Sequence, residues 1–219
     1  MRPLEAELRA GLAQHQLELS DSQIGQCLDY LNLIQKWNKV YNLTAVREPA
    51  EMLTHHLLDS LTVIAPLRRL TAGQPIKLLD VGSGAGLPGV VIAICCPEVV
   101  VTCVDTVSKK AAFVKQAALT LKLPNLRGLH ARVENLSDPY DVVSSRAFAS
   151  LADFVNWSLP ALAGQGVWMA MKGKQPTEEL AALPASVDVF HVEQLAIPGL
   201  DVQRCIVWMR QKPTSPPTP

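Results

Sequence analysis

Asp80 ends an apolar run, and four of the chain's twelve glycines, Gly82, Gly84, Gly86 and Gly89, follow it in the stretch LLDVGSGAGLPG (78–89). Glycine tolerates positive φ and carries no Cβ, so such a cluster lets a ligand approach the backbone closely. A strand, a glycine-rich turn and a helix in succession bring backbone N–H groups and a helix N-terminus against a nucleotide-like ligand. Two frames fit. In one, Gly84 to Gly89 satisfies GxGxxG and Asp105 follows Gly84 by 21 residues, which draws a dinucleotide fingerprint. In the other, Asp80-Val81-Gly82-Ser83-Gly84-Ala85-Gly86 keeps an acid inside the strand's end. A carboxylate there would repel a pyrophosphate and attract a ligand carrying positive charge and an amino group. Asp105 suits ribose hydroxyls in either frame, so Asp80 decides for the second.

That second frame resembles the first motif of class I S-adenosylmethionine-dependent methyltransferases, whose cofactor is a sulfonium with an amino group. Other residues of chemical interest carry less. His55, His56 and Asp59 invite a metal reading, but HHxxD lacks the HExxH form and no third ligand is evident. On a helix His56 and Asp59 more simply pair with each other, and no metal is expected. Ser137-Asp138-Pro139-Tyr140 looks like the motif of enzymes that methylate exocyclic amino groups. It precedes an apolar run instead of following one, which makes it a turn entering a strand. Cys27, Cys95, Cys96, Cys103 and Cys205 form no CxxC pair and sit among apolar residues, as core thiols do in a reducing compartment.

Elements that position these residues follow from periodicity. The first 65 residues read as helices: Ser20 to Gln23 has capping-box form, with Ile24, Cys27, Leu28, Leu31 and Ile34 at helical spacing. A second helix starts at Pro49 and runs until Pro66, and WNKVYNLTAVRE between the two reads as polar and irregular. Strands are expected at 76–81, 99–105, 126–130, 140–145, 166–172, 187–195 and 203–210, with helices at 87–96, 107–121, 150–162 and 176–183. This alternation predicts an α/β fold with a mostly parallel sheet covered on both faces. The short IPGLD connection predicts an antiparallel last hairpin. A helical extension at 1–66, a core at 67–211 and a proline-rich disordered tail at 212–219 divide the chain.

At 219 residues, with 48% hydrophobic and 18% charged residues, a substantial core is available. Net charge is zero, yet residues 61–150 carry ten Lys/Arg against six Asp/Glu. Bulk charge therefore excludes a protein that coats nucleic acid, while the basic middle permits local phosphate contacts. Arg68, Arg69, Lys109 and Lys110 are the candidates, although Lys109, Lys110, Lys115 and Lys122 also read as one solvated helix face. The N-terminus lacks a signal-peptide stretch, and Pro88, Pro97 and Glu98 interrupt the oiliest region, so no membrane span and a cytoplasmic location are expected.

With the loop in place, TrpAsnLysValTyrAsnLeuThr (37–44), HisLeuLeuAspSerLeu (56–61), SerArgAlaPhe (145–148) and MetLysGly (171–173) fall into one order. Together these closely resemble the bacterial small-subunit rRNA guanine-N7 methyltransferases, the RsmG/GidB family (glucose-inhibited division protein B), from about residue 20 to about residue 210. A small departure is Lys109-Lys110, where the family often has Lys-Arg. The resemblance implies a Rossmann-like class I methyltransferase with an N-terminal helical extension, using S-adenosyl-L-methionine to methylate N7 of guanine 527 in 16S rRNA. The implied partner is 16S rRNA, in the small ribosomal subunit or its assembly intermediate, and a monomer is expected. Carried over, the cofactor site uses Gly82, Leu87, Val133, Glu134 and Arg146, beside Asp80, Gly84, Gly86 and Asp105 from the loop argument. The likeness puts Asn42, His56 and Asp59 near the substrate mouth, and leaves Arg146 or Lys172 to bind guanine O6 or a phosphate. Guanine N7 carries a lone pair and no proton, so no general base is required.

Overall fold

The structure, a computed structural model, describes residues 2–213; the expected tail lies outside the described residues from 214 onward. Helix α1 spans Arg2–Gln14 and α2 spans Asp21–Tyr41. Ser20 and Gln23 close the expected capping box, with Gln23 N donating to Ser20 Oγ at 3.2 Å and Ser20 N to Gln23 Oε1 at 3.0 Å. The helix runs further than its apolar spacing suggested, through Trp37 to Tyr41, and Asn42 ends it in a left-handed conformation. Asn38 then holds the loop that follows: its Oδ1 accepts from Thr44 N and its Nδ2 donates to Val46 O.

The expected second helix is broken. Pro49–Met52 forms α3, Leu53–Leu58 a π-helical turn, Asp59–Leu61 α4 and Ile64–Thr71 α5. Pro66 does not stop the chain as expected, because it falls in the first turn of α5, where a missing N–H is not needed. A π turn adds one residue to the helical repeat, which the 3.6-residue pattern cannot register, and such turns collect at functional sites.

The remaining elements match expectation closely. Strands β1 (Ile76–Val81), β2 (Val99–Asp105), β3 (Leu126–His130), β4 (Tyr140–Arg146), β5 (Leu162–Lys172), β6 (Val187–Ile197) and β7 (Leu200–Gln211) form a seven-stranded sheet ordered β3-β2-β1-β4-β5-β7-β6. β1 to β5 pair in parallel; β7 runs antiparallel between β5 and β6. Helices α6 (Gly89–Cys95), α7 (Ser108–Thr120), α8 (Leu151–Ser158) and α9 (Thr177–Ala181) complete the chain. Period-two alternation sends successive strand residues to opposite faces. Leu78 joins a core with Val91, Phe113 and the N-terminal Leu8, Ile24 and Leu57, whereas Leu79 joins Val143, Phe154 and Trp168. The five cysteines are free and buried. No described helix is long and apolar enough to cross a membrane. Strand order reverses between β1 and β4, and the crevice at their C-terminal ends is where such sheets place ligands.

Candidate functional site

Two cavities open at that crevice and meet at Gly82, after β1, and Ala147, after β4. The first, about 430 Å³, is bounded by Asp105, Val133, Glu134, Phe148 and Trp157. The second, about 620 Å³, is bounded by Gly84, Leu87, His56, Asp59, Arg146, Lys172 and Arg204. Gly82, Gly84 and Gly86 have φ of +65, +59 and +85, a region that side chains rarely enter. A Cβ on Gly82 would strike the Phe148 ring at the junction.

Most of the loop's N–H groups are not offered to a ligand as the sequence suggested, because the protein uses them. Gly82 N and Ser83 N donate to Val104 O at 2.9 and 3.3 Å, and Gly86 N and Leu87 N to Ser83 O at 2.8 and 3.0 Å. Asp105 lashes the loop to the β2 end by accepting from Gly84 N at 3.0 Å and from Val107 N at 2.8 Å. Each of its oxygens keeps a further acceptor site on the first cavity's wall. Val133 and Glu134 form a short 3-10 turn on that wall.

Asp80 also differs from expectation. It is fully buried and lines neither cavity. Its Oδ2 accepts from Gly89 N and its Oδ1 from Ser144 Oγ, both at 2.9 Å. The carboxyl therefore sits beneath the loop at the start of α6, where a Cβ on Gly89 would fall 2.9 Å from it. Burial pushes it up to about 6 although both hydrogen bonds pull the other way. This position excludes the dinucleotide frame on firmer ground than repulsion: the helix start that a pyrophosphate needs is already capped by Asp80. Gly86 likewise lines neither cavity; a Cβ there would strike Val90, so it serves the turn and its packing.

In the second cavity the centre is Asp59, whose side chain is 4% exposed. Its Oδ2 accepts from Arg146 Nη1 at 2.9 Å and its Oδ1 from Arg204 Nε at 3.1 Å. Arg146 Nη1 also donates to His55 O. The pairing of His56 with Asp59 expected from the sequence is absent among the described hydrogen bonds; Asp59 gives its two oxygens to Arg146 and Arg204. His56 Nε2 instead meets Thr44 Oγ1 at 2.7 Å. Burial, assisted by the Arg146 charge, pulls His56 down to about 4, so the ring is neutral at pH 7. Among the described residues no His/Cys/Asp/Glu group can hold a metal.

Lys172 lines the second cavity but spends its three protons on Ala149 O and both oxygens of Glu179. Asn42 does not line it; its side chain accepts from Arg47 Nη2. Of the phosphate candidates, Arg68 donates to Cys95 O, Arg69 to Glu193, and Lys110 lies 3.9 Å from Asp105 on the first cavity's rim. Lys109 alone points away, over the Tyr41 ring at 5.5 Å. Sequence reasoning missed Arg204, Glu51, Phe148 and Trp157. Arg204 shares β7 with Arg210 and Trp157 shares α8 with Phe154, and neither spacing singles out the residue that reaches the site.

A sequence model described as rRNA small subunit methyltransferase G matches residues 23–207. Ribosomal RNA small subunit methyltransferase G of Polaromonas sp. is 72% identical over 216 residues, covering 97% of this chain and 96% of that protein. Its namesake from Albidiferax ferrireducens is 68% identical over 221 residues, covering 96% and 99%. Among solved structures, a SAM-dependent methyltransferase from Aquifex aeolicus superposes with a TM-score of 0.53 at 16% identity, over 74% of this chain and 98% of that one, a likeness of fold.

Proposed function

This chain belongs to the rRNA small subunit methyltransferase G family, and we propose that it transfers a methyl group from S-adenosylmethionine to N7 of guanine 527 in 16S rRNA. The observation that carries this reading is the junction: two cavities, one suited to an adenosine and one to a base, meet at Gly82 and Ala147, where Gly82 leaves room that a Cβ would take. Asp105 would hold the ribose hydroxyls, Val133 and Glu134 would flank the adenine, and Gly82 would leave room for the sulfonium end toward the second cavity.

The bound donor supplies an electrophilic methyl carbon. An N7 lone pair taking that methyl, with the C–S pair leaving on sulfur, would need no proton to move and so no base from the chain. Consistent with this, the buried His56 is neutral and engaged by Thr44, and Asp59 is engaged by two arginines. Neither is held as a base. The chain's contribution is alignment of base and donor at the junction. Arg146, rather than the saturated Lys172, has donors left for guanine O6: it spends Nη1 on Asp59 and His55, leaving Nη2 and Nε. The test is mass-spectrometric mapping of 16S rRNA from a strain lacking the gene. One methyl should vanish from the fragment holding guanine 527 and return with the gene; an unchanged fragment, or loss elsewhere, overturns the target.

A further inference from the structure

Two carboxylates line the second cavity, Glu51 on α3 and Asp59 on α4. Asp59 is spent, with one oxygen on Arg146 and the other on Arg204. Glu51 is exposed and has no side-chain hydrogen bond or ion pair among the described residues. The cavity therefore offers one carboxylate free to accept, in a lining that also holds guanidinium groups with spare donors: Nη2 and Nε on Arg146 and Nη2 on Arg204.

Guanine matches that division of charge. Its N1–H and exocyclic N2–H₂ lie side by side as donors, and O6 and N7 lie beyond them as acceptors. Adenine presents a lone pair at N1 and no amino group at position 2, so it would set acceptor against acceptor. We propose that Glu51 is a specificity-determining residue that accepts from N1–H and N2–H₂ of the target guanine; this rests on the reading that a guanine is the substrate. A carboxylate on that edge and a guanidinium at O6 leave N7 as the uncovered atom facing the junction. The same contact favours the reaction. Methylation makes the ring cationic and its N1–H a stronger donor, so the bond to Glu51 tightens as charge develops. Glu51 thus acts on turnover and not on binding alone.

The test is methyl transfer into 16S rRNA carrying guanosine or inosine at the target position, inosine lacking only the N2 amino group. Cofactor affinity is measured alongside by titration with S-adenosylhomocysteine. Wild type should prefer guanosine by about tenfold to a hundredfold in kcat/KM. Glu51→Gln should lower guanosine turnover by a similar factor and erase the preference, while Glu51→Asp restores part of it. Cofactor affinity should stay within about twofold, because the contact is to the base. A Glu51→Gln enzyme that still prefers guanosine overturns the proposal. So does cofactor affinity falling in step with turnover, which would give the carboxylate to the cofactor's ammonium group instead. If wild type places no methyl on guanine N7 in either RNA, the proposed function itself falls first.

Discussion

The two cavities are built from different kinds of sequence. The first draws mostly on residues at or just after the ends of β1, β2, β3 and β4, so its walls come from short local segments. The second joins α3, the π turn and α4 to the far ends of β4, β5 and β7. Its central carboxylate, Asp59, meets partners 87 and 145 residues away. Both cavities border the strained loop at Gly82, but only the second is centred on a buried charge cluster. The first should therefore fail by steric intrusion, and the second by loss of a single charge.

The largest effect is expected at the junction. Gly82→Val places a branched side chain where even a Cβ meets the Phe148 ring, in a backbone conformation unfavourable to valine. S-adenosylhomocysteine affinity should fall by roughly a thousandfold, about 4 kcal/mol, while circular dichroism still reports a folded chain. Normal affinity at an unchanged melting temperature would mean that Gly82 does not border the cofactor.

Next comes the second cavity alone. Asp59→Asn leaves Arg146 and Arg204 facing each other without a counter-charge. Unfolding stability should drop by about 3 kcal/mol, a low value within the range for such losses because both arginines are partly exposed. Methyl transfer should fall steeply with S-adenosylhomocysteine affinity retained. Equal loss of both activities would erase the distinction between the cavities.

That distinction also marks what the sequence could disclose. The sheet, its antiparallel last hairpin, and the positive φ at Gly82, Gly84 and Gly86 were legible, because strand alternation and glycine spacing are local signals. Asp105 stood out locally as an acid at a strand end, whereas Val133 and Glu134 came only with the family likeness. Asp80 was identified as decisive but for the wrong contact, since a sequence shows an acid near a loop and not the face it takes. Arg204 and the Asp59 cluster were hidden by long-range pairing, and the π turn by a repeat that periodicity does not sample. Asn42 stood out by type, yet its visible work is to end α2.

Titration should expose the same contrast as opposite pH trends. Burial raises the Asp80 carboxyl from 3.8 to about 6 in the fold. Its contribution to stability is fully present below pH 4 and lost as pH rises through 6, by about 3 kcal/mol. His56 runs the other way: its value falls from 6.5 to about 4, so its contribution is present above 6.5 and lost as pH falls through 4. Asp80→Asn keeps an acceptor for Gly89 N and removes the ionisation. Urea unfolding should show the variant gaining on wild type between pH 4 and pH 7. A pH-independent difference would mean that Asp80 titrates normally beneath the loop.

The smallest effects divide two adjacent lysines between the two roles. From the sequence, Lys109 and Lys110 stand as one pair aimed at RNA and without bearing on the cofactor. The structure separates them: Lys110 lies 3.9 Å from Asp105 on the first cavity's rim, and Lys109 lies over Tyr41 outside it. Lys110→Ala should therefore weaken S-adenosylhomocysteine binding by about twofold to fourfold, the scale of a partly exposed ion pair. Lys109→Ala should leave that affinity alone and flatten the salt dependence of rRNA binding by roughly one unit of log–log slope, as one lost phosphate contact requires. Arg68 and Arg69 are already committed to Cys95 O and Glu193, so they offer little to replace it. If the salt slope of Lys109→Ala equals that of wild type, Lys109 only solvates its helix and packs on Tyr41. The phosphate contact would then lie with the exposed Arg132 at the first cavity's rim.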